Sequence, residues 1–367
     1  MNNISKIQSI AKWLSQKNID IAFINNFNTI KYLTGFNSDP IERVLALIIF
    51  KDKEPFIFCP SLEVEAIKEN NWPYEIYSYM DDEDPYKLIA NTIYKNISNP
   101  QKIAIEAKNL TVFKLKKLTN LFPNTNFSTY IDDYIDQLRV IKSEQEIELL
   151  LKAGKDADFA FQTAFNKIHE GVTEQQISTE IDYSLKKKGI MHTSFDPLIQ
   201  FGKHAAEPHG ETSDIKATKN ELILIDLGTV YNNYISDATR TVALGKITDR
   251  QKDIYNICLE ANLEAINAIK PGISAKELDG IARNIITKYG YGDYFIHRLG
   301  HGIGQSEHEY PDISQSSNII LKKGMCFSIE PGIYIPNELG VRIEDCVYVT
   351  KNGCKTFTNT TKKLLQL

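Results

Sequence analysis

Three of the seven histidines in this 367-residue chain lie within twelve residues, at His297, His301 and His308. Glycines flank the middle one, in the stretch Gly300-His301-Gly302-Ile303-Gly304. Imidazole is the commonest metal ligand and titrates near neutral pH, and glycine permits close approach because it has no Cβ. A polar, glycine-rich loop with solvated histidines would explain this stretch equally well. The acidic residues elsewhere in the chain decide between the two interpretations.

Two aspartates flank a predicted β-hairpin. Asp226 follows the apolar run Leu222–Ile225, a turn with two asparagines comes next, and Asp237 follows Tyr234–Ser236. Folding the hairpin would bring Asp226 roughly opposite Asp237, where paired residues have Cβ atoms about 4.5–5.5 Å apart. Two carboxylates so close repel each other unless a proton or a cation lies between them.

The acidic pattern recurs near the C-terminus. A second predicted hairpin brings Glu330 towards Glu344, and His301 lies between the two hairpins in sequence. Taken singly, Asp226 or Glu344 is more simply a turn residue or a cap. Four carboxylates and one imidazole together suit Mn²⁺, Co²⁺, Zn²⁺ or Fe²⁺, and they neutralise two divalent ions. Four buried acids without cations would each cost several kcal/mol of desolvation, so the set indicates a two-metal centre.

These residues resemble the two-metal Xaa-Pro peptidase family, which comprises prolidases (Xaa-Pro dipeptidases) and aminopeptidase P and has the pita-bread fold. The resemblance covers the chain from about residue 135 to the end. It implies that the five metal ligands are Asp226, Asp237, His301, Glu330 and Glu344. The segments that carry it are Leu138-Arg139-Val140-Ile141-Lys142-Ser143-Glu144-Gln145-Glu146-Ile147, Pro208-His209-Gly210, Ile225-Asp226-Leu227-Gly228, Ser236-Asp237-Ala238-Thr239-Arg240-Thr241, Gly300-His301-Gly302-Ile303-Gly304, His308-Glu309-Tyr310-Pro311, Ile329-Glu330-Pro331-Gly332 and Val341-Arg342-Ile343-Glu344-Asp345.

The resemblance implies metal-assisted hydrolysis of the peptide bond that precedes proline. Glu330 is the candidate general base, since a ligand carboxylate lies within reach of the attacking water's proton. His209 and His308 are the candidate partners of the developing oxyanion and of the leaving proline nitrogen. That nitrogen carries no hydrogen in the substrate, so it must gain a proton as the bond breaks. Without the resemblance, His209 would be interpreted as a turn residue after Pro208.

Four further residues are candidates for substrate binding. His297 is expected in the substrate pocket, because the glycines at 300 and 302 argue against a regular helix that would place it beside His301. Arg298 and Arg342 offer planar forks of donors that suit a carboxylate, and Arg342 is as well explained by an ion pair with the acidic cluster. Arg43 lies in a stretch that resembles a loop of small bacterial prolidases, which usually carry histidine where this chain has Ile41. In that group the loop reaches the partner subunit, so the resemblance implies a homodimer.

The preferred function is therefore that of an Xaa-Pro dipeptidase with two divalent ions, Mn²⁺ first and Co²⁺ or Zn²⁺ as alternatives. Its substrate would be a small peptide with proline at the second position. Aminopeptidase P, which acts on longer Xaa-Pro peptides with the same metal centre, is the first alternative. A metal-free creatinase-like enzyme or binding protein is the second, and the presence of all five ligands disfavours it.

The elements that must position these residues fall into two parts. Residues 1–131 alternate helix and strand signals, which predicts an α/β domain with no glycine-rich phosphate loop. Residues 132–367 begin with helical runs and continue as short strands with two further helices, which predicts an α+β catalytic domain of antiparallel hairpins. Ser143 with Glu146 three residues later predicts a capping box at the start of the first long helix.

Composition excludes several other functions. A net charge of −5 gives no electrostatic footprint for nucleic acid, and no apolar run has the length that a membrane span needs. The five cysteines are odd in number and lack metal-binding spacing, so we expect reduced thiols and a cytoplasmic protein.

Overall fold

The computed structural model describes residues 3–367, and within it the chain divides after Leu138 into two units. The division lies inside a helix, α6 (Asp132–Val140). The domain boundary predicted at 131/132 coincides with the start of that helix, and it stays a prediction.

The N-terminal unit is built on one mixed sheet of six strands. The strands are β1 (Ile21–Ile24), β2 (Ala46–Phe50), β3 (Phe56–Pro60), β4 (Ile76–Tyr79), β5 (Lys102–Ile105) and β6 (Asn126–Tyr130). The helices before α6 are α1 (Asn3–Lys17), α2 (Phe27–Thr34), α3 (Val64–Glu69), α4 (Pro85–Asn96) and α5 (Val112–Leu121). The strand order in the sheet is β4-β3-β2-β1-β5-β6. The central strands are buried on both sides, and their successive side chains alternate between two apolar layers. Helices α1 and α2 contribute to one layer and α4 and α5 to the other, as expected for an α/β domain.

The second unit contains two antiparallel sheets, two small hairpins and four helices. The helices are α7 (Glu144–Lys167), α8 (Glu174–Lys187), α9 (Asp249–Ala268) and α10 (Ala275–Lys288). The strands are β7 (Leu198–Phe201), β8 (Glu221–Leu227), β9 (Val230–Tyr231), β10 (Tyr234–Ile235), β11 (Ala238–Leu244), β12 (Gly300–Gly302), β13 (Glu309–Ile313), β14 (Cys326–Ile329), β15 (Gly332–Ile335), β16 (Leu339–Arg342), β17 (Asp345–Val349) and β18 (Cys354–Thr356). The sheets have the strand orders β11-β8-β7 and β13-β12-β14-β17-β18, and the hairpins are β9–β10 and β15–β16. Each sheet shares an apolar core with one pair of helices, α7 and α8 on the first sheet and α9 and α10 on the second.

The two halves of this unit repeat one design. Thr173 caps α8 with a capping box and forms a backbone bridge with Lys216. Ser274 caps α10 in the same way and bridges to Ile320. The internal similarity that the sequence revealed only in its acidic pairs therefore extends to the helices and their caps.

Most elements match the predictions, including the Ser143–Glu146 capping box at the start of α7. The sequence analysis missed α2, although its signals were present: Asn26 caps the first turn and Gly35 ends the helix with φ of 81°. It also missed helix α6, strand β4 and the short strands β9, β12, β13 and β18. All five cysteines are free thiols, as expected. Among residues 3–367 no helix is both long and apolar enough to cross a bilayer.

Candidate active site

A cavity of about 350 Å³ in the second unit is lined by ten of the eleven residues predicted to form the site. These ten are Asp226, Asp237, His301, Glu330, Glu344, His209, His308, His297, Arg298 and Arg342. They come from both halves of the unit, so each half contributes one acidic hairpin to the site. Arg43 belongs to the N-terminal unit.

The first acidic pair does not have the predicted register. Asp226, near the end of β8, pairs with Thr239 on β11, and Leu227 pairs with Ala238. Asp237 thus lies one residue before β11 and two positions from the residue opposite Asp226. Residues two apart in a strand share a face, so the two aspartates are diagonal neighbours instead of directly opposed ones.

The second pair follows its prediction. Ile329 pairs with Asp345 between β14 and β17, and Gly332 pairs with Arg342 between β15 and β16. Both pairings have one register, which places Glu330 across from Glu344 where the two ladders meet. The side chain of Glu344 is also bound by the first half, because Thr239 Oγ1 donates to its Oε2 at 2.7 Å.

His301 enters this acidic cluster from β12 and is 5% exposed. Its Nδ1 lies 3.2 Å from the carbonyl oxygen of Gly302, a contact that assigns the proton to Nδ1. Its Nε2 then carries a lone pair, 3.3 Å from Glu330 Oε1 and 3.6 Å from Asp237 Oδ2. Desolvation lowers the pKa of His301 to about 4, so the ring is neutral. Three acceptors therefore face one another, an arrangement that a cation would stabilise.

Three carboxylate oxygens of the cavity lack hydrogen-bond partners among the described residues, as the ligands of a metal ion would. Within the described part of the chain, Asp226 Oδ1, Asp237 Oδ1 and Glu344 Oε1 are buried without a hydrogen-bond partner. One ligand atom each from Asp237, His301 and Glu344 lie within 4.8 Å of one another. Burial, and then the charge of Glu344, raises the pKa of Asp237. Buried acceptors are normally paired, so these orphaned oxygens are the observation that supports metal ligation.

Each side-chain nitrogen of Arg342 donates a hydrogen bond to a proposed ligand or to a residue beside one. Its Nε donates to Thr239 Oγ1 at 2.9 Å, and its NH2 donates to Asp226 Oδ2 at 2.6 Å. Its NH1 donates to Tyr334 OH at 2.9 Å. The side chain is 5% exposed. Of the two interpretations given by the sequence, this geometry matches the ion pair with the acidic cluster.

The remaining histidines differ in how firmly they are held. The ring of His308 lies against that of His301, with centroids 4.2 Å apart, and the residue is exposed at the cavity mouth. His297 is bound at both nitrogens, by the carbonyl oxygen of Arg298 at 2.7 Å and by Tyr334 OH at 2.9 Å. His209 lies in the turn after Pro208 and lines the same cavity. His308 and His209 are therefore the histidines positioned to bind a ligand, whereas His297 is held by hydrogen bonds as part of the cavity wall.

The two other arginines are half-buried and have acidic partners. Arg298 lines the cavity, and its NH1 contacts Asp312 Oδ1. Arg43, in the N-terminal unit, forms a two-pronged pair with Asp81 at 2.8 and 3.0 Å. Both guanidiniums would have to exchange or share their carboxylate partner to bind a substrate carboxylate.

Several site residues escaped the sequence analysis. Thr239 and Tyr334 support Arg342, and Ser328 donates to Glu330 Oε1 at 2.8 Å while accepting from the backbone of His301. Phe195, Asp196 and Glu307 also line the cavity. A signal existed for Thr239 and Ser328, because each lies two residues from a predicted ligand on a strand and so shares its face.

Comparison with known proteins assigns both parts of the chain. Residues 148–351 match the model of metallopeptidase family M24, and residues 6–141 match the creatinase/prolidase N-terminal domain. The chain is 51% identical to an Xaa-Pro dipeptidase of Lactobacillus helveticus over 99% of this chain and 98% of that protein. A recombinant prolidase from Thermococcus sibiricus superposes with a TM-score of 0.94 at 34% identity, and an Xaa-Pro dipeptidase from Bacillus anthracis with 0.92 at 33%; each comparison covers 100% of both chains.

Proposed function

Because the chain belongs to metallopeptidase family M24, with a creatinase/prolidase N-terminal domain, we propose that it hydrolyses Xaa-Pro dipeptides. The predicted pita-bread fold, and the assignment to the Xaa-Pro peptidase family, are confirmed by these matches. The activity rests on similarity over nearly the full length to proteins named Xaa-Pro dipeptidase. The single structural observation that carries the proposal is the set of orphaned carboxylate oxygens around His301 Nε2.

In this proposal Asp226, Asp237, His301, Glu330 and Glu344 hold two divalent ions, with Mn²⁺ as the expected metal. Oxygen donors with one imidazole suit Mn²⁺, while Co²⁺ and Zn²⁺ remain alternatives. When bound, divalent ions supply Lewis acidity that lowers the pKa of water and polarises a carbonyl oxygen.

Residues of this chain then accept and deliver the protons of the reaction. Glu330 receives the proton of the attacking water, since its Oε1 is oriented towards the cluster by Ser328 Oγ at 2.8 Å. His308 and His209, at the cavity wall, donate hydrogen bonds to the developing oxyanion and to the proline nitrogen, and the proton that Glu330 took from water passes on to that nitrogen. The leaving nitrogen belongs to a tertiary amide, so no product can leave until this proton is delivered.

The substrate side of the cavity is small. A volume of about 350 Å³ lies at the lower end of the range of roughly 300–1,000 Å³ for ligand pockets, which suits a dipeptide. Arg298, which is 34% exposed at its side chain, is our first candidate to bind the terminal carboxylate. Arg342 is buried and already donates to Asp226, Thr239 and Tyr334, so in this proposal it holds Asp226 and Tyr334 in place.

We further propose that the enzyme is a homodimer in which the Ser38–Leu47 loop meets the partner. Ile41 supports this, because it is 85% exposed and adopts φ of 62°, which is unusual for a β-branched residue. Measuring the molar mass by light scattering, for the protein and for Ile41→Asp, tests it. A monomeric parent protein would contradict this part of the proposal.

The cytoplasmic location is also proposed, since four of the five free thiols are buried and none needs an oxidising compartment.

The experiment that tests the function uses protein reconstituted with Mn²⁺ and given Leu-Pro or Leu-Pro-Gly, with release of free leucine as the measurement. Cleavage of Leu-Pro alone would support the dipeptidase. Preferential cleavage of the tripeptide would make the protein an aminopeptidase P, and the carboxylate role of Arg298 would then be wrong. If two metals bind and neither peptide is cleaved, the substrate class is wrong although the metal centre is right.

A further inference from the structure

Two motifs of the catalytic unit have no role in the chemistry described so far. Arg139 and Lys142 lie just before α7, and Glu309 begins β13, about 170 residues later. The structure brings all three side chains together. Arg139 NH2 lies 2.5 Å from Glu309 Oε1, and Lys142 Nζ lies 3.2 Å from Oε2. Their side chains are 12%, 2% and 5% exposed, in the order Arg139, Lys142, Glu309, so this is a buried charge triad.

The Glu309 carboxylate also holds the loop in front of it. Its Oε1 accepts the backbone N–H groups of Gln305 at 2.8 Å and of Ser306 at 3.1 Å. Arg139 NH2 reaches the same loop by donating to Ser306 Oγ at 3.0 Å. A Cβ added at Gly304 would lie 2.6 Å from both carboxylate oxygens, so the loop backbone is packed directly against the charge.

This loop, residues 303–308, joins β12 to β13 and ends in His308. Its first anchor is the strand of His301 and its second is Glu309, because Gly302 pairs with Glu309 in the sheet. Since His308 is exposed and precedes Glu309 directly, its position depends on how rigidly the loop is held. Stability alone does not explain the triad, because buried ion pairs are often no more stabilising than apolar residues of similar volume.

We propose that Glu309, charged and clamped by Arg139 and Lys142, is a positioning residue that holds His308 for its part in the reaction. This inference rests on the proposed function, since it names what orients one of its two catalytic histidines. Burial would raise the pKa of Glu309, but Lys142 and Arg139 outweigh it and lower the pKa to about 2. The anchor therefore stays charged throughout the pH range in which a peptidase of this kind is assayed.

Glu309→Gln is the first test, because it removes the charge and preserves the shape. With Mn²⁺ and Leu-Pro, kcat should fall about 10- to 100-fold, as expected for a misplaced catalytic group, while KM and bound manganese stay within about 3-fold of the parent. Lys142→Met is the second variant, in case Glu309→Gln fails to fold. The matched control is Glu338→Gln, which breaks an exposed pair with Arg250 and should leave kcat unchanged.

A double-mutant cycle separates positioning from general stabilisation. If Glu309 acts through His308, then Glu309→Gln should change kcat by less than about 3-fold once His308→Ala is present. The inference would be overturned if the double variant lost the product of the two single fold-changes in kcat, or if Glu309→Gln alone left kcat unchanged.

Hydrogen exchange of the peptide that covers residues 303–308 gives a readout independent of activity. Exchange there should quicken about tenfold or more in Glu309→Gln and in Lys142→Met, and it should not change in Glu338→Gln. Unchanged exchange in both triad variants would refute the anchor. If the parent protein fails to cleave Leu-Pro, the proposed function is wrong, and the exchange measurement still decides whether Glu309 holds the loop.

Discussion

Replacing Asp237 by asparagine should reverse the stability order of parent and variant when metal is added. Without metal, the ligand oxygens of Asp237 and Glu344 lie within 4.8 Å of each other. Two unit charges at that separation repel by about 3 kcal/mol at an effective dielectric constant of about 20. Asparagine removes this repulsion, or the cost of protonating one acid to relieve it, at almost constant shape. We count only this pair, because Arg342 offsets the charge of Asp226 and Glu330 acts on Asp237 more weakly than Glu344 does.

The metal-free variant should therefore be more stable than the parent by about 1–3 kcal/mol. For a unit of this size that corresponds to roughly 3–10 °C in Tm. With Mn²⁺ added, the parent should become more stable than Asp237→Asn. A ligand at 100 times its Kd stabilises the native state by about 2.7 kcal/mol, and the variant should lose most of this gain.

The assay is thermal unfolding of chelator-treated protein at pH 8, with and without added Mn²⁺. Glu338→Gln makes the same change in net charge at an exposed site and should move stability by no more than about 0.5 kcal/mol. If metal-free Asp237→Asn is less stable than the parent, the acids do not repel as described. If Mn²⁺ stabilises parent and variant equally, Asp237 is not a ligand.

Other parts of the fold give predictions that unfolding measurements can check. Gly154→Ala should lower the free energy of unfolding by about 1–3 kcal/mol, since the new Cβ would lie 2.3 Å from the backbone oxygen of Phe357. Gly280→Ala, at a helical position with nothing within 4 Å of the new Cβ, should raise it by about 0.5–1 kcal/mol. If both substitutions changed stability in the same direction, the packing argument would be wrong. Burial raises the pKa of Glu106 to about 7, so the native state holds its proton more tightly than the unfolded chain does. Stability of the N-terminal unit should then fall by up to about 3 kcal/mol as the pH rises from about 4.5 to 7, and Glu106→Gln should abolish that slope. Glu174→Ala should cost about 3–5 kcal/mol, because this buried carboxylate accepts from two backbone N–H groups, a serine hydroxyl and an imidazole; a loss below 1 kcal/mol would show that water replaces it freely.

The proposed metal centre illustrates how much of a site local sequence information can predict. The identities of the five proposed ligands could be predicted, because acids placed in apolar strands and a histidine among glycines are costly choices that need a reason. The register of the first hairpin could not. Asp226 lies opposite Thr239 and not Asp237, since the β9–β10 hairpin takes up the residues between the two long strands.

The arginines mark the same limit. A guanidinium in a catalytic motif predicts an anionic partner, but the sequence does not say which one. For Arg342 the partner is Asp226 of the other half, and for Arg139 it is Glu309, about 170 residues away. Such pairs are fixed only when the sheets and helices have packed.

Local patterns were sufficient to predict most of the long elements, the capping box of α7, the family and the types of the proposed ligands, because each depends on spacing within a few turns or on motif identity. Tertiary structure decided the register of the aspartates, the engagement of Arg342 and the clamp on the loop of His308. The last two features join residues 100 or more positions apart, and the free energy that selects all three comes from packing and desolvation in the assembled core, which no local pattern records.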